Sequence, residues 1–153
     1  MNPILWTQKQ DAGPSARQFP AMAYDSSRGR TVLFGGGTGT TALTGLNDTW
    51  EWDGEHWTQV ADTGPPGRLQ AVMAYDVHRN QTVLFGGTHG KADTWGWDGR
   101  NWTQLADSGA WPRVAFAMAY DQAAGFDTAQ AEATAAMERL LDRLESQRLQ
   151  SRS

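Results

Sequence analysis

The sequence predicts an all-β protein assembled from a repeated four-stranded antiparallel unit, with one helix appended at its C-terminal end. Three observations predict it. Asp48-Thr-Trp-Glu-Trp-Asp-Gly54 returns as Asp93-Thr-Trp-Gly-Trp-Asp-Gly99. Trp-Thr-Gln begins at Trp6, Trp57 and Trp102, and Met-Ala-Tyr-Asp at Met22, Met73 and Met118, both series spaced by 51 and then 45 residues. Thr31-Val-Leu-Phe-Gly-Gly36 recurs as Thr82-Val-Leu-Phe-Gly-Gly87. Self-similarity at a period of this size marks a repeat architecture, in which one unit cannot bury its apolar face alone.

Each element follows from local chemistry. Met22-Ala-Tyr-Asp25 forms the first strand of a unit, and the Asp closes it by bonding its side chain to the backbone of the following turn. Thr31-Val-Leu-Phe34 is β-branched and aromatic, and the glycine pair behind it stops the strand. In the third strand Trp50 and Trp52 are two apart, so both rings lie on one face and Thr49 and Glu51 on the other. Asp53-Gly54 signals a tight primed turn, after which Trp57 starts a fourth strand running back beside the third. The second unit repeats these four strands.

After Asp121 the pattern breaks. All eight tryptophans and all 17 glycines lie at or before Gly125, and residues 128–150 are rich in strong helix formers. Asp127 and Gln130 resemble a capping box at the start of this segment. Ala133, Met137, Leu140, Leu141 and Leu144 fall at helical spacing on one face, which predicts an amphipathic helix suited to assembly or to covering an unpaired strand edge.

Four antiparallel strands per unit with a glycine pair closing the second resemble the kelch repeat. The match rests on Arg17, Gly35-Gly36, Trp50 and Trp57 in one unit and on Arg68, Gly86-Gly87, Trp95 and Trp102 in the next, and it covers Trp6 to Asp121. The resemblance implies kelch-like β-propeller blades: two complete ones at about 17–60 and 68–105, flanked by a fourth strand near Trp6 and a first strand at 114–121. Residues 1–121 would then form a partial propeller, and 122–153 a linker and the helix. Closed propellers need about 4 to 8 blades, so one copy cannot surround a channel. Self-association is the expected remedy, and three copies would supply about six full blades. The alternative is a fragment of a larger secreted propeller with carbohydrate-binding or enzymatic function.

Composition narrows the function classes. A net charge of −4 over 153 residues argues against nucleic acid or an anionic membrane as the main partner, since both need a dense basic surface. The absence of cysteine removes thiolate metal sites and Cys nucleophiles. It also removes the Tyr–Cys cross-link and copper chemistry that a likeness to galactose oxidase would imply. His56, His78 and His89 form no metal-ligand spacing, and Gly35-Gly-Gly-Thr-Gly-Thr40 lacks the Gly-Lys-Ser/Thr ending of a phosphate loop. No catalytic residue, metal or cofactor is expected. The N-terminus shows neither a secretory leader nor an apolar run of membrane length, which points by default to a soluble cytoplasmic chain.

What remains is binding. The connection after the second strand runs over 35–47 in the first unit and over 86–92 in the second, six residues longer in the first, and loops that vary on a constant scaffold are where specificity resides. The loops entering the first strand share that end of the unit. Candidate ligand positions there are Thr38, Thr40, Thr41, Leu43, His89 and Lys91, joined by Arg17, Arg68 and Arg113. The three arginines, each five residues before its Met, either form an arc that holds an anion or glycan, or brace backbone carbonyls and acids of neighbouring blades. The paired tryptophans either stack sugars or fill the space between blades. The expected partners are other copies of the chain or another protein, with a small anionic or glycan ligand as a further candidate.

Overall fold

The computed structural model describes residues 12–39, 44–88, 92–107 and 118–119. The chain divides into two units, Met1–Ala119 and Tyr120–Ser153, and every described residue belongs to the first. The expected strand near Trp6, nearly all of the strand at 114–121 and the whole C-terminal helix lie outside the described residues.

Two four-stranded antiparallel sheets make up the fold. Sheet 1 runs in the order β1 (Ala21–Asp25), β2 (Arg30–Phe34), β5 (Thr49–Trp52), β6 (Trp57–Ala61). Between its second and third members the long connection forms a small ladder of its own, β3 (Gly37–Thr38) with β4 (Thr44–Gly45). Sheet 2 repeats the meander with β7 (Val72–Asp76), β8 (Gln81–Phe85), β9 (Thr94–Trp97) and β10 (Trp102–Ala106). Met22 lies opposite Leu33 and Leu33 opposite Trp50, and one repeat later Met73, Leu84 and Trp95 hold the same register.

The glycine pair does what the sequence predicts: Gly35 and Gly36 take φ of 64° and 88°, left-handed values that a side chain resists, and the strand ends there. The hairpin between the third and fourth strands differs from expectation. Trp52 pairs with Trp57, so the loop holds four residues, and of Asp53 and Gly54 only the glycine has positive φ. The reason is the Asp53 carboxylate, whose Oδ1 accepts from the backbone N–H of Glu55 at 2.9 Å and of His56 at 2.7 Å. A turn held by its own side chain does not need the two-residue primed geometry. Asp98 does the same for Arg100 and Asn101.

Val60 and Leu105 are exposed apolar side chains for a local reason. The pairing slips by one residue at each, so both are bulge residues on an outermost strand.

The core is the space between the sheets. Ala21, Val32 and Phe34 of sheet 1 pack against Met73, Leu84 and Trp97 of sheet 2, with Trp102 closing the outer side. Phe34 meets Trp102 edge-on at 5.2 Å, and Trp102 lies 5.4 Å from Trp97. The alternation of the strands assigns the faces: the small and β-branched side of sheet 1 faces the aromatic side of sheet 2.

Candidate functional site

Each sheet carries an arginine locked at its entry. The five N–H groups of Arg17 all donate within the chain. Nε reaches Ser15 O at 3.0 Å, Nη1 reaches Gly35 O at 2.9 Å and Asp48 Oδ1 at 2.7 Å, and Nη2 reaches Asp48 Oδ2 at 2.9 Å and Ser15 Oγ at 3.3 Å. Arg68 copies the pattern on Pro66 O, Gly86 O and both oxygens of Asp93, the last at 2.6 and 2.9 Å. The indole N–H of Trp50 donates to Asp48 and that of Trp95 to Asp93. An arginine fork on a carboxylate, completed by a tryptophan, ties the entry of the first strand to the start of the third. The braces act inside their own sheets, rather than between sheets as the repeat alone suggests.

Burial raises the carboxyl pKa of Asp48, but hydrogen bonds from Arg17 and then Trp50 outweigh it, and the net shift is downward. Asp93 follows the same course with Arg68 and Trp95. Asp25 and Asp76 are also lowered against their burial, by Arg28 and Ser27 in one case and by Arg79 and the turn backbone in the other. Carboxyls depressed in the folded state stabilise it above their unfolded value of 3.8 and lose that contribution as the pH falls through their folded values. The urea midpoint is therefore expected to hold steady from about pH 7 to about pH 5 and to drop steeply below about pH 4. Asp48→Asn should flatten part of that drop while lowering the plateau, as chemical denaturation across the pH range would show.

The connections expected to line one end of the units do come together. Gly36 N donates to Arg68 O at 3.0 Å, Arg68 N to Leu46 O at 3.2 Å, and Leu46 N to Gly36 O at 2.8 Å. Gly45 and Gly67 touch so closely that a Cβ at Gly67 would run into the Gly45 carbonyl. Thr38, on β3, is half-buried and pairs with Thr44. Thr40, Thr41, Leu43, His89, Lys91 and Arg113 lie outside the described residues, as do Met137, Leu140, Leu141 and Leu144. Among the described residues no three His, Cys, Asp or Glu side chains sit close enough to hold a metal ion, and no helix is long and apolar enough to cross a membrane.

The seam between the sheets holds a polar set that the sequence reading does not single out. Glu51 projects from the core side of β5, where Arg28 grips it at 2.7 and 3.1 Å and Trp97 of sheet 2 donates its indole N–H at 2.9 Å. Arg28 is itself held by Asp25 at 2.6 Å. Across the same seam Tyr75 Oη donates to Ser27 Oγ at 2.7 Å, and Trp102 Nε1 to Thr49 Oγ1 at 2.8 Å. The one available signal is the single difference between the repeated motifs, Glu51 against Gly96, because an acid between two tryptophans earns a buried place only with partners.

Compared with protein-family models and with curated proteins, the chain finds no match. The geometry itself therefore carries the functional argument, and its sharpest feature is the other face of sheet 1. There Met22, Tyr24, Leu33, Trp50, Trp52 and Trp57 occupy the positions that Met73, Tyr75, Leu84, Trp95, Trp97 and Trp102 occupy on the core side of sheet 2. Met73 and Tyr75 are 7% and 8% exposed, whereas Met22 and Tyr24 are 49% and 60% exposed. Trp52 lies 5.6 Å from Trp57, as Trp97 does from Trp102 at 5.4 Å, yet among the described residues the Trp52 indole nitrogen has no hydrogen-bond partner.

Proposed function

We propose that the chain is a non-enzymatic assembly module built of kelch-like blades, which associates with further copies of itself through the outer face of sheet 1. One observation carries the reading: the residues of that face are a docking surface one repeat later, where sheet 2 lays them against sheet 1, whereas in sheet 1 Met22 and Tyr24 are 49% and 60% exposed and Trp52 is half-exposed beside a buried Leu33. Covering Met22 and Tyr24 as Met73 and Tyr75 are covered is worth about 1 kcal/mol each before the costs of association, since each is already about half buried. Exposed aromatic and methionine side chains together are the composition of an interface centre. The arginines support the scaffold in this reading, since their donors are directed to the chain's own carbonyls and carboxylates.

The expected result is a weight-average mass that rises with concentration in analytical ultracentrifugation of the wild-type chain. Tyr24→Asp should abolish the rise while leaving the urea stability within about 0.5 kcal/mol of wild type, because the side chain is 60% exposed. A mass that stays at one chain at all concentrations, or a Tyr24→Asp variant that associates as well as wild type, would sink the proposal.

A further inference from the structure

A face can meet a copy of the chain in two ways, head to tail against the far side of sheet 2, or face to face against itself. A head-to-tail stack would repeat the internal seam, and sheet 2 lacks what that seam uses. Where sheet 1 presents Glu51 to a tryptophan, sheet 2 has Gly96, and the Gln81 amide lies over it. Where sheet 1 presents Ser27 to a tyrosine, sheet 2 has His78. On the side of sheet 2 that points away from sheet 1, Ala74, Val83 and Phe85 are only 7%, 1% and 5% exposed, against 49% and 60% for Met22 and Tyr24 on the outer face of sheet 1.

The outer face of sheet 1 suits the other arrangement. Two-fold pairing sets identical residues against one another, so a charged face would repel itself. The strand positions of this face carry no charge: besides the methionine, leucine and aromatics, only Thr31 and Gln59 belong to it. It also holds both halves of a hydrogen bond, since the Trp52 N–H, which has no partner among the described residues, is a donor, and the Tyr24 hydroxyl and Gln59 carbonyl are acceptors that a partner copy would offer. Met22 supplies an adaptable side chain for packing against its own image.

Resting on the self-association reading, we infer that two copies pair about a two-fold axis, sheet 1 on sheet 1, giving a closed dimer rather than an open stack or a ring. Four strands at about 4.8 Å spacing and about five residues of 3.3 Å each make a footprint of about 300 Å² per copy, which places the dimer in the weak, transient class.

The chain has no cysteine, so one introduced thiol is the only reactive one. Thr31 sits on a central strand of the face, and Thr31→Cys hardly changes its size. The full-length Thr31→Cys chain is treated with a bismaleimide of about 10 Å reach, the distance between stacked sheets. Sedimentation of the wild-type chain is followed in parallel from about 10 µM to about 1 mM, the range a weak interface requires. Gln59→Cys, at an exposed position, provides a second probe should Thr31→Cys fail to fold. The expected result is a cross-linked species of two chains and a mass that levels off at two. An equal mixture of Thr31→Cys and Leu105→Cys chains should form few mixed cross-links, because Leu105 marks the far side of sheet 2. Preferential mixed cross-linking, or a mass that climbs beyond two chains, would overturn the two-fold pairing while leaving self-association standing. A mass fixed at one chain up to about 1 mM, with no cross-link, would overturn both.

Discussion

Replacing Arg68 with methionine is expected to destabilise the chain by about 3–5 kcal/mol, as read from urea unfolding, because it leaves the Asp93 carboxylate without its counter-charge in a dry site. The Arg68 side chain is 0% exposed and that of Asp93 12%. Its guanidinium also satisfies the Gly86 and Pro66 carbonyls, which the variant would strand. The double variant Arg68→Met with Asp93→Leu removes the uncompensated charge and should recover a large part of the loss, although Trp95 then loses its acceptor. If the single variant cost less than about 1 kcal/mol, or the double variant were no better than the single, the brace would not hold the sheet as argued. Arg17 offers an internal comparison: its pair with Asp48 is wetter, at 5% and 18% side-chain exposure, and Arg17→Met should cost less than Arg68→Met.

Trp97→Ala is the second large effect. This side chain is 1% exposed, fills the centre of the core and donates to Glu51 across the seam. Truncating a buried aromatic costs about 3–5 kcal/mol, and the variant also removes one of the hydrogen bonds that hold the Glu51 carboxylate. Trp52 is the same residue one repeat earlier, in the same register, with its ring half-exposed. Trp52→Ala should therefore cost well under half as much. Since strand, motif and chemistry are shared, the difference between the two variants isolates what the sheet-to-sheet seam contributes. Equal losses would mean that the tryptophans stabilise each sheet locally, and that the seam is incidental.

The contrast between these two tryptophans also shows where sequence reading succeeds and where it stops. The eight main strands were legible because period-two alternation and the glycine pairs are local signals, and the repeat supplied each of them twice. Turn-forming aspartates were equally local: Asp25 and Asp76 bond the backbone two and three residues on. The partners of Arg17 and Arg68 were not legible, since Asp48 and Asp93 stand 31 and 25 residues away and read first as part of the tryptophan motif. Glu51 was hidden for a deeper reason. On an isolated strand it belongs to the polar face opposite the tryptophans, and only the stacking of a second sheet turns that face into an interior. Pattern gives the two sides of a sheet, while packing decides which side is inside: in this chain the small and β-branched side is buried in both sheets, and Met and Tyr of the other side are buried only in sheet 2.

The contact between Gly45 and Gly67 bears on how such a chain can be recombined. The six-residue extension folds back as β3 and β4 and rests on the connection that leads into the next sheet, at a position where any side chain would obstruct it. At the corresponding place before sheet 1 the residue is Ala16. An extended loop and a bare position in the following unit are thus one inheritance, written in two repeats. A cut made cleanly between the sheets would separate them, so the segment that can be transplanted intact runs from the middle of one sheet to the middle of the next.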